Sequence, residues 1–129
     1  MDFPTDHAPV LALALSPNYA DDGVLFAGTE ANGFFRSDDR GHTWTRLGQR
    51  SVTQTVNAVV VSPEFPVKAD VLVMSGDTLL ISRDGGESWA DWKAAVNLGA
   101  GGACAAAPQG LDPGAPLLIG LVEGGVLRV

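Results

Sequence analysis

An eight-residue motif occurs twice in this chain, and the repeat constrains the fold more than any other feature of the sequence. The first copy, SDDRGHTW, covers residues 37–44, and the second copy, SRDGGESW, covers residues 82–89. Both follow the pattern Ser-x-Asp-x-Gly-x-(Thr/Ser)-Trp, and they are 45 residues apart. A turn motif that recurs at such an interval is typical of a protein built from successive copies of one supersecondary unit.

The sequence on either side of the motif repeats with it, so the chain divides into three units. Unit 1 covers about residues 8–50, unit 2 about 54–95 and unit 3 about 101–129. Each unit has a proline in register, followed within three residues by a bulky apolar side chain: Tyr19, Phe65 and Leu111. Unit 3 ends before a third copy of the motif.

Each unit consists of short apolar runs separated by turn residues, which indicates β-strands. Three runs per unit predict three strands, and a fourth strand is predicted to begin near Thr43 and Ser88 in units 1 and 2. The first strands of units 1 and 2, at residues 11–15 and 58–61, are predicted to be buried on both faces, and Gly28, Gly76 and Gly120 are each predicted inside a second strand. Four antiparallel strands in a repeat of about 40 to 50 residues predict an all-β fold, a β-propeller with nearly three blades. A β-sandwich is the alternative.

The residue types of the motif suit a tight turn between the third and fourth strands. The carboxylate can accept hydrogen bonds from turn N–H groups, the glycine can adopt a positive φ, and the hydroxyls can close the turn onto its strands. The tryptophan can bury a large ring between adjacent blades. We therefore predict a stabilising role, without chemistry, for Ser37, Asp39, Gly41, Thr43, Trp44, Ser82, Asp84, Gly86, Ser88 and Trp89.

The two copies resemble the Asp-box, or BNR repeat, of sialidases, sortilin-type receptor domains, some xyloglucan-degrading hydrolases and photosystem assembly factors. The resemblance covers every defining position of both copies, and the segment SPNYADDGVLFAGTEANGFFRS extends it beyond them. It implies a β-propeller whose boxes lie on the outside, remote from any active site. Residues 37–44 are called box 1 below, and residues 82–89 are called box 2.

Catalysis is predicted to be absent. Sialidase-like chemistry, which the resemblance raises, requires an arginine cluster, an activated tyrosine and an acid/base aspartate. Tyr19 is the only tyrosine, and Phe65 and Leu111 replace it in the other units. Glycoside hydrolysis by a pair of loop carboxylates remains the alternative, but acids in turns usually serve the turn. The candidates are Asp21, Asp22, Glu30, Asp70 and Asp77. The two histidines lack ligand partners at a recognisable spacing, so no metal site and no cofactor are predicted.

The charge and the ends of the chain bear on its partners. A formal net charge of −7 disfavours nucleic acid and anionic membranes. The apolar run at residues 10–15 is too short to cross a bilayer, and the acidic start lacks the basic region of a signal peptide. We therefore expect a cytoplasmic protein, or an extracellular one if the chain is a fragment of a longer secreted protein.

Fewer than three blades cannot close a ring, which typically has about four to eight. Open blade faces and an unpaired sheet edge favour association, so we expect a homo-oligomer, with a dimer of six blades preferred. Residues 2–9 are a candidate for the missing outer strand of a neighbouring copy. Alternatively, the sequence is a piece of a longer propeller.

The predicted function is a non-enzymatic propeller module that self-associates and offers a binding or scaffold surface to a protein or glycan. The ligand surface is placed on loop residues Glu30, Asn32, Glu64, Phe65 and Lys68. One alternative is a fragment or subunit of a carbohydrate-active enzyme, either sialidase-like or xyloglucanase-like. Another is an assembly factor for a larger complex.

Overall fold

The computed structural model of the 129-residue chain describes residues 9–92, 98 and 101–129. These residues form three antiparallel sheets, which we call blades 1 to 3. Blade 1 contains β1 (Val10–Leu15), β2 (Leu25–Thr29), β3 (Phe34–Ser37) and β4 (Thr45–Leu47). Blade 2 contains β5 (Val56–Val61), β6 (Val71–Ser75), β7 (Thr78–Ser82) and β8 (Ala90–Asp91). Blade 3 contains β9 (Gly102–Ala106), β10 (Leu118–Leu121) and β11 (Val126–Arg128).

In every blade each strand pairs with the strand that precedes or follows it in the chain. The orders are β1-β2-β3-β4, β5-β6-β7-β8 and β9-β10-β11. This meander of short strands confirms the predicted all-β fold with propeller-like blades. The described part of blade 3 has three strands, in agreement with the sequence, which ends before a third box.

Two local features differ from the prediction. Gly76 lies in the turn after β6 with a φ of +63°, and Met74 takes the strand position that Gly28 occupies in blade 1. The loop after β1 contains a short helix, α1 (Tyr19–Asp22), because Asn18 accepts hydrogen bonds from the N–H groups of Asp21 and Asp22. Gly23 ends this helix in the left-handed conformation.

The core lies between the blades. Successive residues of a strand point to opposite faces of its sheet, so one strand supplies two interfaces. In β6, Val71 and Val73 pack towards blade 1, whereas Leu72 and Met74 pack towards blade 3. We call the side of a blade that faces the preceding blade its upstream face, and the opposite side its downstream face.

The prediction that the first strands are buried on both faces is wrong for β1, and in β5 it is met by Ala58 but not by residues 59–61, which are half-buried. Leu13 is 66% exposed and Leu15 is 56% exposed in β1. Val10 is 43% exposed, whereas Val56 at the same position of β5 is fully buried. The described part of the chain contains no blade that precedes blade 1, so the upstream face of β1 lacks the cover that blade 1 gives to β5. The predicted end of unit 2 near residue 95, and the proposed donor strand except for Pro9, lie outside the described residues.

Candidate interaction surfaces

The two boxes are closed by the same set of hydrogen bonds. In box 1, Asp39 accepts from the Thr43 N–H at 2.8 Å, the Thr43 hydroxyl at 2.5 Å and the Ser37 hydroxyl at 2.8 Å. Ser37 Oγ accepts from the Gly41 N–H at 2.9 Å, and the Trp44 indole donates to the Gly41 carbonyl at 3.0 Å. The carboxylate thus holds the two ends of the turn together.

Box 2 repeats this arrangement atom for atom. Asp84 accepts from the Ser88 N–H at 2.9 Å, the Ser88 hydroxyl at 2.5 Å and the Ser82 hydroxyl at 2.8 Å. Ser82 Oγ accepts from the Gly86 N–H at 2.8 Å, and the Trp89 indole donates to the Gly86 carbonyl at 2.9 Å. Gly41 and Gly86 have φ values of +88° and +107°, which a side chain would strain.

Both box carboxylates are held ionised. The hydrogen bonds from the Thr43 hydroxyl, the Thr43 N–H and the Ser37 hydroxyl lower the pKa of Asp39 to about 2. At Asp84, desolvation raises the pKa, but the hydrogen bonds from Ser88 and Ser82 outweigh it and the net shift is downward. Neither carboxyl is poised to act as a general acid near neutral pH, because that role requires a raised pKa.

Box 2 also belongs to the interface between blades 1 and 2. The Trp89 ring packs edge-on against Phe34 of blade 1, with the ring centroids 5.1 Å apart. Arg36 of blade 1 donates from Nη1 to the Gly85 carbonyl at 2.9 Å. The box therefore closes its own turn and contacts the preceding blade as well.

Polar side chains donate hydrogen bonds across both interfaces, a role that was not predicted from the sequence. Asn18 donates to the Phe65 carbonyl at 2.6 Å, and Arg83 donates to the Leu111 carbonyl. Asn57 donates to the Gly102 carbonyl at 2.5 Å. The sequence contains one indication of such contacts, because an arginine recurs in register in units 1 and 3. Arg36 is the donor to box 2, and Arg128 lies at the same strand position of blade 3.

The predicted ligand surface does not come together. Glu30 and Asn32 lie in the β2–β3 loop, whereas Glu64, Phe65 and Lys68 lie in the β5–β6 loop. In an antiparallel meander these loops are at opposite edges of the sheets. Phe65 is also only 1% exposed, and its ring packs edge-on against Phe26 at 5.7 Å, so its assignment to a ligand surface is wrong.

The remaining members of that set are at the surface. Lys68 forms ion pairs with Glu64 at 3.0 Å and Asp112 at 3.1 Å, and the hydrogen bonds to these two carboxylates raise its pKa. These contacts connect the loops of blades 2 and 3 on the edge that carries the boxes. Glu30 and Asn32 lie on the other edge, where the Asn32 N–H donates to Thr29 Oγ1 at 2.9 Å.

The loop carboxylates considered for catalysis include two that are engaged in structural contacts. Asp22 accepts from the Ser16 hydroxyl at 2.7 Å and from the Val24 N–H at 2.9 Å, which fixes the turn into β2. Asp70 is 7% exposed and forms an ion pair with Arg83 at 3.1 Å. Across residues 9–92, 98 and 101–129, no three His, Cys, Asp or Glu side chains are grouped to hold a metal ion.

One surface cleft lies between the two boxes. It has a volume of about 290 Å³ and is lined by residues of blade 1 together with Glu87 of box 2. Asp39 is among its lining residues, but its oxygens already accept the hydrogen bonds of the turn. Within the described ranges, no helix has the length and apolar character needed to span a membrane.

The two ends of the blade series expose apolar side chains. On the upstream face of blade 1, Val10, Leu13 and Leu15 are 43%, 66% and 56% exposed, and we call these residues the upstream end face. On the downstream face of blade 3, Leu118 and Val126 are 37% and 70% exposed, and Arg128 is exposed beside them. We call these three residues the downstream end face.

A solved structure has a similar fold. The crystal structure of a GH74 enzyme from Niastella koreensis matches this chain with a TM-score of 0.62 and 22% sequence identity. The match covers 90% of this chain and 20% of the enzyme chain. The likeness shows the fold. No protein-family profile and no curated protein matches the sequence.

Proposed function

We propose that this chain is a non-enzymatic β-propeller module that associates with further copies of itself and presents a binding surface to a protein or glycan. One observation carries the proposal: each end face has at least one exposed side chain whose counterpart in blade 2 is buried. Val10 is 43% exposed, but Val56 at the same position of blade 2 is fully buried. Val126 is 70% exposed, but its counterpart Leu79 is 1% exposed.

Exposed apolar faces of this kind mark surfaces that associate. Covering both end faces with blades would remove them from water and add hydrophobic stabilisation in proportion to the area buried. Two copies supply six blades, which is within the range of about four to eight blades known for closed rings. A dimer is therefore the assembly that we propose.

The proposed ligand surface lies on the edge that carries the β2–β3 loop. Glu30 and Asn32 are on this edge, and the boxes are on the other. Glu64 and Lys68 are weaker candidates, because their charges are already paired with each other. We therefore assign protein or glycan binding to the edge with Glu30 and Asn32.

Light scattering coupled to size-exclusion chromatography tests the proposal. We expect a discrete species of twice the chain mass at all protein concentrations above the dissociation constant of the dimer. A monomer at all concentrations, with the sheets intact by circular dichroism, would overturn self-association. Binding to a glycan array, compared between the native chain and an Asn32→Ala variant, then tests the ligand surface.

The likeness to a GH74 enzyme favours a second candidate, in which the chain is part of a carbohydrate-active enzyme. The chain spans one fifth of the enzyme that it resembles, so the remainder of an active site would have to come from elsewhere. A panel of fluorogenic glycosides distinguishes the candidates. Turnover by the native chain that is lost in the Asp21→Asn variant would favour the enzyme.

A further inference from the structure

The two internal interfaces show what each end face is shaped to contact. Blade 1 presents Phe26, Phe34 and Arg36 to blade 2, and the strand registers place Leu118, Val126 and Arg128 at the same positions of blade 3. The downstream end face thus has the residue pattern of a surface that already binds a blade within this chain.

The upstream end face matches the other half of the same interface. Blade 2 receives blade 1 with Val56 and with box 2, where the Gly85 carbonyl accepts the Arg36 hydrogen bond. The equivalent elements of blade 1 are Val10 and box 1, in which Arg40 takes the place of Gly85. Arg40 has a φ of +63° and Gly85 has a φ of +76°, so the backbone turns in the same way at this residue. A Cβ on Gly85 would overlap with Arg36 Nη1, so an arginine that reaches the Arg40 carbonyl has to shift its guanidinium past the Arg40 Cβ.

We infer that the downstream end face of one copy docks on the upstream end face of a second copy, in the register of the blade 1 and blade 2 interface, and that Arg128 donates a hydrogen bond to the Arg40 carbonyl oxygen of the second copy. The inference rests on the proposed self-association and specifies its geometry. Two copies use this pair of faces twice, which closes a ring of six blades.

The charges favour this unlike pairing over a symmetric contact of two identical faces. Two downstream end faces placed together would bring Arg128 against the same arginine of the other copy, and like charges across an interface cost free energy. Such a contact would also leave each Arg128 without a box carbonyl to accept its hydrogen bond. In the unlike pairing, Arg128 meets a carbonyl dipole, as Arg36 does within the chain. The guanidinium of Arg40 is directed to the Tyr19 and Ala20 carbonyls of its own chain, at 3.2 Å and 2.7 Å.

The close approach of backbones gives a further contact that experiments can use. A Cβ added to Gly28 would lie 2.4 Å from Val56 Cγ1, so β2 packs directly against β5 at this point. Gly120 is the residue of blade 3 at the position of Gly28, but the space beside it is filled by the Cys104 sulfur, which lies 2.6 Å from where a Cβ on Gly120 would be. Val10 of the second copy would therefore contact the Cys104 thiol at the point where Val56 contacts Gly28.

A mixing experiment separates the unlike pairing from symmetric ones. The Leu13→Asp variant lacks a competent upstream end face, and the Val126→Asp variant lacks a competent downstream end face. Both side chains are more than half exposed, at 66% and 70%, so neither substitution buries a charge in the isolated chain. Val67→Asp is the matched control, since Val67 is 91% exposed in the β5–β6 loop and belongs to neither end face.

We expect each variant to be monomeric by light scattering and an equimolar mixture to form a heterodimer, because the mixture restores one intact pair of faces. The Val67→Asp control should remain a homodimer. If either end-face variant remains a homodimer, or if the mixture stays monomeric, the inference is wrong although self-association stands. If the native chain is itself monomeric, the proposed function fails with it.

Two further measurements locate the contact. Arg128→Ala should weaken the dimer by about 100-fold to 10,000-fold, as expected for loss of the two charged hydrogen bonds of the closed dimer, whereas Arg50→Ala should not change its dissociation constant. Under mild oxidation, the Val10→Cys variant should form a disulfide with Cys104 of the second copy, identified by peptide mapping. Oxidation that links only Cys104 to Cys104 would indicate the symmetric contact and overturn the inference.

Discussion

Blade 2 and the two outer blades are built from the same sequence pattern, but they differ in how much of it is buried. Leu72 of blade 2 is fully buried, whereas Leu118 at the same position of blade 3 is 37% exposed. The residue type is unchanged, so the difference comes from the neighbouring blade that covers Leu72. A propeller blade therefore carries two interfaces in its sequence, and the next blade decides whether each of them is buried.

The largest effect should come from truncating the same residue in the two environments. Leu72→Ala removes a buried side chain from a packed interface and should lower the free energy of unfolding by about 2 to 5 kcal/mol. Leu118→Ala removes a partly exposed one and should cost less than about 1 kcal/mol in the monomer. Urea denaturation at a concentration below the dimer dissociation constant measures both values.

One outcome for these two variants would contradict the prediction. If Leu118→Ala destabilises the monomer as much as Leu72→Ala, then blade 3 is covered on its downstream face within the chain. Repeating the measurement at high concentration sharpens the comparison, because dimerisation should increase the cost of Leu118→Ala alone.

The boxes should behave differently from the blade faces, because their hydrogen bonds are local. Ser82 is fully buried and Ser37 is 1% exposed, and each hydroxyl accepts the N–H of the box glycine. Ser82→Ala and Ser37→Ala should each lower the free energy of unfolding by about 1 to 3 kcal/mol, since each leaves a buried N–H without its acceptor. Thermal or urea unfolding of the two variants tests this equality.

Thr53→Ala is a suitable control for this pair, because it removes an exposed hydroxyl outside both boxes. A large effect for Ser82→Ala with no effect for Ser37→Ala would show that the box stabilises the fold only when a preceding blade covers it. That outcome would contradict the local role that we assign to the hydrogen bonds.

The repeat made most of the fold predictable from the sequence. Strand order, the turn position of both boxes and the three-stranded end followed from periodicity, since a repeated pattern must fold the same way each time. Contacts between blades were harder to predict, because Arg36 and Gly85 are far apart in the sequence. Every residue has a backbone carbonyl, so the sequence does not show which carbonyl accepts the hydrogen bond. Phe65 was wrongly assigned to the ligand surface because it lies in a loop. That loop folds back so that the Phe65 ring contacts Phe26 of blade 1.

The candidate ligand surface was the least well predicted part. Loop residues such as Glu30 and Lys68 were grouped by their polar character, although the predicted antiparallel order of the strands already places their loops on opposite edges. The residues of β1 do not show its exposure, because they are those of a strand with cover on both sides, but the open blade faces of an incomplete ring predict it.

The smallest effect we predict is a pH dependence that arises in the boxes. The pKa of Asp39 is lowered to about 2 in the folded chain, whereas an unfolded aspartate has a pKa of about 3.9. Between these values the unfolded chain binds a proton that the folded chain does not, so the contribution of Asp39 to stability is complete above about pH 5 and is lost as the pH falls towards 2. The pKa of Asp84 is shifted in the same direction.

The melting temperature should therefore decrease between pH 5 and pH 2, and the decrease should be shallower in the Asp39→Asn variant, which cannot take up this proton. Glu123→Gln removes an exposed carboxylate from the β10–β11 turn and controls for the change in net charge. Equal slopes in the native chain and the Asp39→Asn variant would show that the hydrogen bonds of box 1 do not hold the carboxylate ionised in solution. Because box 1 lies on an end blade and box 2 is covered by blade 1, comparison with Asp84→Asn shows whether a neighbouring blade strengthens the same turn.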